Sequence, residues 1–168
     1  MRKILFLTML VVVALAAAGA TALATGGGGK NFSTKLTGFQ EVPAISTAAS
    51  GSFDAKLNGD ELTYELSYSG IEGGTAVAAH IHLGQRGVTG GVSAFLCGGG
   101  DKPACPATEG TVTGVIDPAD VIGPAGQGIA AGEFDELISA MRAGLTYANV
   151  HSDPMYLGGE IRGQIKRG

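Results

Sequence analysis

From Ser50 to Ser69 the chain alternates between apolar and polar residues. Phe53, Ala55 and Leu57 fall on one side of the first run. In the second, Leu62, Tyr64, Leu66 and Tyr68 oppose Thr63, Glu65 and Ser67. Between them Asn58-Gly59-Asp60 supplies a tight turn, so the pattern predicts a β-hairpin. Shorter strand-like runs follow the same logic: Lys35 to Val42, ended by Pro43, then Val77 to Leu83, Gly91 to Leu96, Gly110 to Ile116, Leu145 to His151 and Glu160 to Lys166. One segment departs from period two. Glu133 to Arg142 places Phe134, Leu137, Ile138 and Met141 at helical spacing, with Gly144 as a stop. Asp117 to Gly132 is rich in Gly, Pro and Ala and reads as loop. Many short strands, Gly-rich turns and one helix predict an all-β antiparallel sandwich or barrel.

The first residues read as targeting rather than fold. Arg2 and Lys3 precede an apolar run from Ile4 to Ala18, and Ala22-Leu23-Ala24 has the small-x-small pattern of a cleavage site. This predicts a signal peptide over 1–24, a flexible Gly-rich lead-in over 25–32, and one domain over 33–168. The apolar run is short for a bilayer span, so no membrane segment is expected in the mature chain. Export, to the periplasm or beyond, also decides how Cys97 and Cys105 read. In an oxidising compartment they predict a disulfide closing a small loop. Their spacing is not Cys-x-x-Cys, so a metal pair or redox site is the weaker reading. The net charge of −4, without a clustered basic stripe, excludes nucleic acid as the expected partner.

The candidate chemistry lies in the three histidines. His80 and His82 are two apart on a predicted strand and share a face, while Ala79, Ile81 and Leu83 turn the other way. On the Leu145 to His151 strand, Ala148 and Val150 are the apolar pair, leaving Tyr147, Asn149 and His151 opposite. If the two strands adjoin, His151 lands beside the His-x-His pair. Spacings of about 7 Å along a strand and about 4.8 Å between strands bring three imidazoles within reach of one ion. Such a set suits copper or zinc. Asn149, Arg162 and Glu160 are the polar neighbours expected to support the ligands, with Glu160 and Arg162 also able to form a surface ion pair. There is no Gly-x-Ser-x-Gly elbow, His-Glu-x-x-His helix or phosphate loop.

Five blocks carry a family resemblance. In order they are Leu36 to Pro43, Leu62 to Gly70, Ala79 to Gly84, Tyr147 to Ser152 and Gly158 to Gln164. Together they resemble the CHRD domain, named for chordin, over about Ser33 to Lys166. The resemblance implies an exported binding module of undefined partner. Chordin's cysteine-rich repeats are missing, so growth-factor binding is not implied. A more distant likeness is to Cu/Zn superoxide dismutases: His80-Ile81-His82 is similar to their copper-binding strand, and Val150-His151 to a later copper ligand. That likeness implies an immunoglobulin-like or superoxide-dismutase-like β-sandwich. It also raises an alternative function, a copper-dependent redox enzyme, although no further histidine is present to complete a zinc site. The remaining alternative is an extracellular interaction or matrix module without metal.

Overall fold

The computed structural model describes residues 30–168. The expected signal peptide and most of the lead-in lie outside the described residues. The strands are β1 (Asn31–Thr37), β2 (Ser50–Asn58), β3 (Glu61–Ser69), β4 (Gly74–Leu83), β5 (Gly91–Cys97), β6 (Gly110–Ile116), β7 (Thr146–Pro154), β8 (Tyr156–Gln164) and β9 (Lys166–Arg167). One helix, α1 (Phe134–Arg142), precedes β7. The main strands pair antiparallel in the order β5-β4-β7-β8-β1-β2-β3-β6, with β9 on β1. This path folds into a nearly closed sandwich of two halves. The seam between them is thin, because β8 and β1 share a single register pair, Thr37 with Arg162.

Period two decides what each half buries. β2 and β3 turn Phe53, Leu62 and Leu66 inward, and β4, β7 and β8 turn Ala79, Ile81, Ala148, Val150 and Ile161 inward. All are essentially inaccessible to solvent, as the alternation predicts. Tyr64 crosses between the halves and donates its hydroxyl to the Leu96 carbonyl of β5 at 2.6 Å. Helix α1 buries Phe134, Leu137, Ile138 and Met141, the stripe expected of it, and ends at Gly144.

Two expectations shift. The first strand is Asn31–Thr37 rather than Lys35 to Val42, so residues 31 and 32 belong to the fold rather than to the lead-in. The chain turns at Gly38, whose carbonyl accepts from Glu41 N–H at 3.1 Å and Ile45 N–H at 2.9 Å. A Cβ at Gly38 would lie 2.6 Å from Thr47 Cγ2, so this tight turn excludes a side chain. Phe39 is thereby thrown into solvent and Glu41 carried inward. Within the expected loop, Pro118–Asp120 and Ala125–Gln127 form short 3-10 turns. Asp117 caps the first of these, and Asp120 pairs with Lys102 at 2.6 Å.

Cys97 and Cys105 are joined in a disulfide, as expected for two cysteines in an oxidising compartment. Among the described residues no helix is long and apolar enough to cross a membrane.

Candidate metal centre

β4 and β7 are neighbours, and their register places His80 opposite Asn149, His82 opposite Tyr147 and His151 opposite Ala78. His151 is therefore the diagonal neighbour of His80, within reach of an aromatic side chain. Register shifts flank each histidine: between Ala79 and His80 and between Ile81 and His82 on β4, and between Val150 and Ser152 on β7. Irregularities of this kind re-aim side chains without unmaking the sheet. Here the three imidazoles converge, each offering one nitrogen within 4.8 Å of the others.

The histidine face points away from the apolar core, yet it is not open. His80, His82 and His151 are only 9, 6 and 8 % exposed. Loops and neighbouring side chains roof them. Phe95 of β5 stands edge-on to His80, with ring centroids 4.6 Å apart. Behind Phe95, the disulfide-closed loop brings Gly99 directly against its ring.

Hydrogen bonding determines which nitrogens carry protons. His82 Nδ1 lies 2.9 Å from the Gly90 carbonyl and His151 Nδ1 2.9 Å from the Leu157 carbonyl. A carbonyl only accepts, so both Nδ1 atoms donate and both Nε2 atoms keep a lone pair. His80 Nδ1 is 2.9 Å from His151 Nε2 and must donate to it. His82 Nε2 is left buried with no partner among the described residues. Burial, reinforced by the neighbouring imidazoles, pushes His80 down to about 3. Burial also takes His82 down to about 4, against the opposing hydrogen bond to Gly90, and lowers His151. All three are neutral at pH 7, the protonation state a metal ligand requires.

A second layer supports His82. Tyr147 stacks on its imidazole, and the Arg162 guanidinium lies 3.4 Å over the other face of the Tyr147 ring. Arg162 also donates to the Gln85 and Val88 carbonyls at 3.2 and 3.0 Å. The Tyr147 hydroxyl accepts the Gly90 N–H at 3.1 Å and lies 3.4 Å from the Gly90 carbonyl, fixing the residue whose carbonyl holds His82. Asn149, on β7, lies beside Glu41. Gly159, at φ 126°, allows their approach: a Cβ there would sit 2.5 Å from Glu41 Oε1 and 2.8 Å from Asn149 Nδ2. Glu41 Oε1 and Asn149 Oδ1 are also buried without hydrogen-bond partners among the described residues. Burial, opposed by Arg162, pushes Glu41 up to about 7.

Of the expected supporting residues, Asn149 and Arg162 join this assembly and Glu160 does not. Glu160 forms no ion pair with Arg162. Its carboxylate, fully buried, accepts from the Thr47 and Ser152 hydroxyls and from the Glu72 and Gly73 N–H groups, at 2.6 to 3.1 Å. Sequence reasoning missed Glu41, Phe95 and the stacking role of Tyr147. Tyr147 was signalled by sharing a face with Asn149 and His151. Glu41 was signalled only weakly, as the sole carboxylate between Asn31 and Asp54.

A small antiparallel sandwich with three convergent, neutral histidines on one outer face defines the class of protein. Comparison with known families gives the rest. The CHRD domain model matches residues 32–165, and the chain belongs to the CHRD domain family. Comparison with curated proteins and with solved structures found no match. The CHRD domain and the disulfide together fit an extracellular or periplasmic protein.

Proposed function

We propose that this chain is an exported CHRD-domain binding module whose His80, His82 and His151 hold a single copper or zinc ion. The supporting observation is the orphaned, buried Nε2 of His82, which faces a site shared with two other imidazole nitrogens. Three nitrogens on one ion, each at about 2 Å, lie roughly 3–4 Å apart, so nitrogens already within 4.8 Å need little movement. His82 and His151 would bind through Nε2, since backbone carbonyls occupy their Nδ1 atoms; His80 would bind through Nδ1 only after moving the proton it donates to His151 onto its own Nε2. An all-imidazole set favours copper over zinc by the usual affinity order. When bound, the ion supplies either a fixed link to a partner's donor atom or redox chemistry. The protein's own groups align His82, keep the imidazoles neutral and exclude bulk water. The partner is an extracellular or periplasmic protein.

The redox alternative, an enzyme of superoxide dismutase type, gains less support. Arg162, the arginine packed on Tyr147, has its guanidinium engaged by that ring and two backbone carbonyls. The deciding experiment is metal analysis and calorimetric titration of the purified protein without a histidine tag. One equivalent of copper or zinc, lost in His82→Ala and His151→Ala, supports the reading. Metal uptake unchanged in those variants defeats it, and points to an interaction module whose histidines are incidental. A superoxide assay on copper-loaded protein separates the binding module from the redox enzyme.

A further inference from the structure

At the seam between β1 and β8 a groove opens on the opposite side of Tyr147 from the histidines. It has two parts, of about 420 Å³ and about 150 Å³, which share Gln40, Arg86 and Gln164. The larger part also carries Lys35, Lys166 and Asp54. Arg162 and Glu41 line the smaller.

Charge here runs against the rest of the molecule. The chain has 11 Lys and Arg against 15 Asp and Glu. In the groove, Lys35, Arg86, Arg162 and Lys166 face only Asp54 and Glu41. Among the described residues the only Lys or Arg in a salt bridge is Lys102, far from this seam in the disulfide loop, so Lys35, Arg86 and Lys166 are unpaired. A second observation is independent of charge. Gln164 spends its amide N–H groups on the Gly84 and Gly144 carbonyls, both at 2.9 Å. Its Oε1 is buried and has no donor among the described residues. The unpaired cations call for negative oxygens, and a ligand hydroxyl that reaches Gln164 Oε1 as the groove side chains adjust would supply the buried acceptor with a donor.

We propose that this groove binds a hydroxylated oxyanion of monosaccharide size, a sugar phosphate or a uronic acid. Lys35, Arg86 and Lys166 take the phosphate or carboxylate, and a sugar hydroxyl donates to Gln164 Oε1. Asp54 accepts a second hydroxyl. The larger chamber is of ordinary small-ligand size. Its open mouth admits either a free acid sugar or one unit of an acidic polysaccharide. The inference is independent of metal at the histidines.

The test is an amide-resolved NMR titration of the metal-free protein at low ionic strength with glucose 6-phosphate, galacturonate, tetragalacturonate, inorganic phosphate and glucose. Saturable shifts at Lys35, Arg86, Gln164 and Lys166 are expected for the acid sugars, with a Kd below about 1 mM. The exposed substitutions Arg86→Gln and Lys166→Gln should each weaken binding about tenfold without unfolding the protein. Tighter binding of tetragalacturonate than galacturonate assigns the ligand to a polymer, and equal binding assigns it to the free sugar. No saturation by about 10 mM, or affinity unaltered in both variants, overturns the proposal. Inorganic phosphate binding as tightly as glucose 6-phosphate, or glucose binding as well as the acids, overturns it too.

Discussion

The Tyr147 ring lies almost parallel to the His82 imidazole, 6° between their planes and 4.7 Å between their centroids. The two residues face each other across the β4–β7 ladder. Their contact is central to the site, because the Tyr147 hydroxyl also holds Gly90, whose carbonyl sets the tautomer of His82.

Tyr147→Phe keeps the stack and deletes the hydroxyl. The Gly90 N–H loses its acceptor, and the carbonyl that orients His82 is freed. Copper or zinc affinity should fall about tenfold, the usual cost of losing an outer-shell partner. Calorimetric titration of the variant checks this. Affinity equal to the parent's would mean the hydroxyl does not hold the ligand in place.

The metal-free protein should lose stability in mild acid. His80 and His82 ordinarily titrate near 6.5, but in the fold they stand at about 3 and about 4. The unfolded chain therefore binds more protons below pH 6.5, and stability falls as pH drops from 6.5 toward 4. His151 is lowered as well and adds in the same sense. Glu41 acts oppositely. Raised from 4.5 to about 7, its contribution is fully present below pH 4.5 and is lost as pH rises through 7. Three histidines outweigh one carboxylate, so stability should rise with pH from 4.5 to 6.5. Glu41→Gln should make that rise steeper. Urea midpoints measured across this range decide it, and a falling trend would contradict the buried, neutral histidines.

Much of this was legible in the chain. The hairpin of β2 and β3, helix α1 and the shared face of His80 and His82 follow from local spacing, and the disulfide from the pair of cysteines in a chain expected to be exported. The meeting of β4 with β7 did not, since pairing partners are a long-range matter. Nor did the roof over the imidazoles. Gly90 and Glu41 come from two separate loops and Leu157 from the start of β8, and period two predicted an outward face without saying what would cover it. Glu160 and Arg162 illustrate a different gap. Residues two apart share a face but sit about 7 Å apart, so each takes whatever partner the third dimension offers.

Glu160 is expected to matter for stability and not for metal. Four donors converge on its buried carboxylate, and interactions there hold it below its ordinary value despite the opposing effect of burial. Glu160→Gln replaces one acceptor oxygen with a donor and should cost about 3 kcal/mol. Denaturant unfolding beside a metal titration separates the two roles. A stable variant that fails to bind copper or zinc would place Glu160 at the metal site instead.

Removal of the disulfide gives a third handle on stability. Cys97 and Cys105 are eight residues apart, and closing so short a loop is worth about 2.5 kcal/mol on the chain-entropy account. The double variant Cys97→Ser, Cys105→Ser should unfold at correspondingly lower urea. Because the tethered loop backs Phe95, which abuts His80, its metal affinity should also drop. Unchanged affinity would show that Phe95 holds its place without the tether.

All three histidines ride on one pair of hydrogen-bonded strands, β4 and β7, and are covered by Phe95 of β5, Tyr147 of β7, the start of β8 and the 84–90 loop. The ligand atoms are therefore as rigid as the sheet, and their spacing is inherited from strand register rather than from loop length. Exchanges in the 85–89 or 38–49 segments that leave Gly90 and Leu157 in place can reshape the approach while the carbonyls that orient His82 and His151 stay where they are. The sheet sets the spacing of the three histidines, and the loops beside them set what can approach.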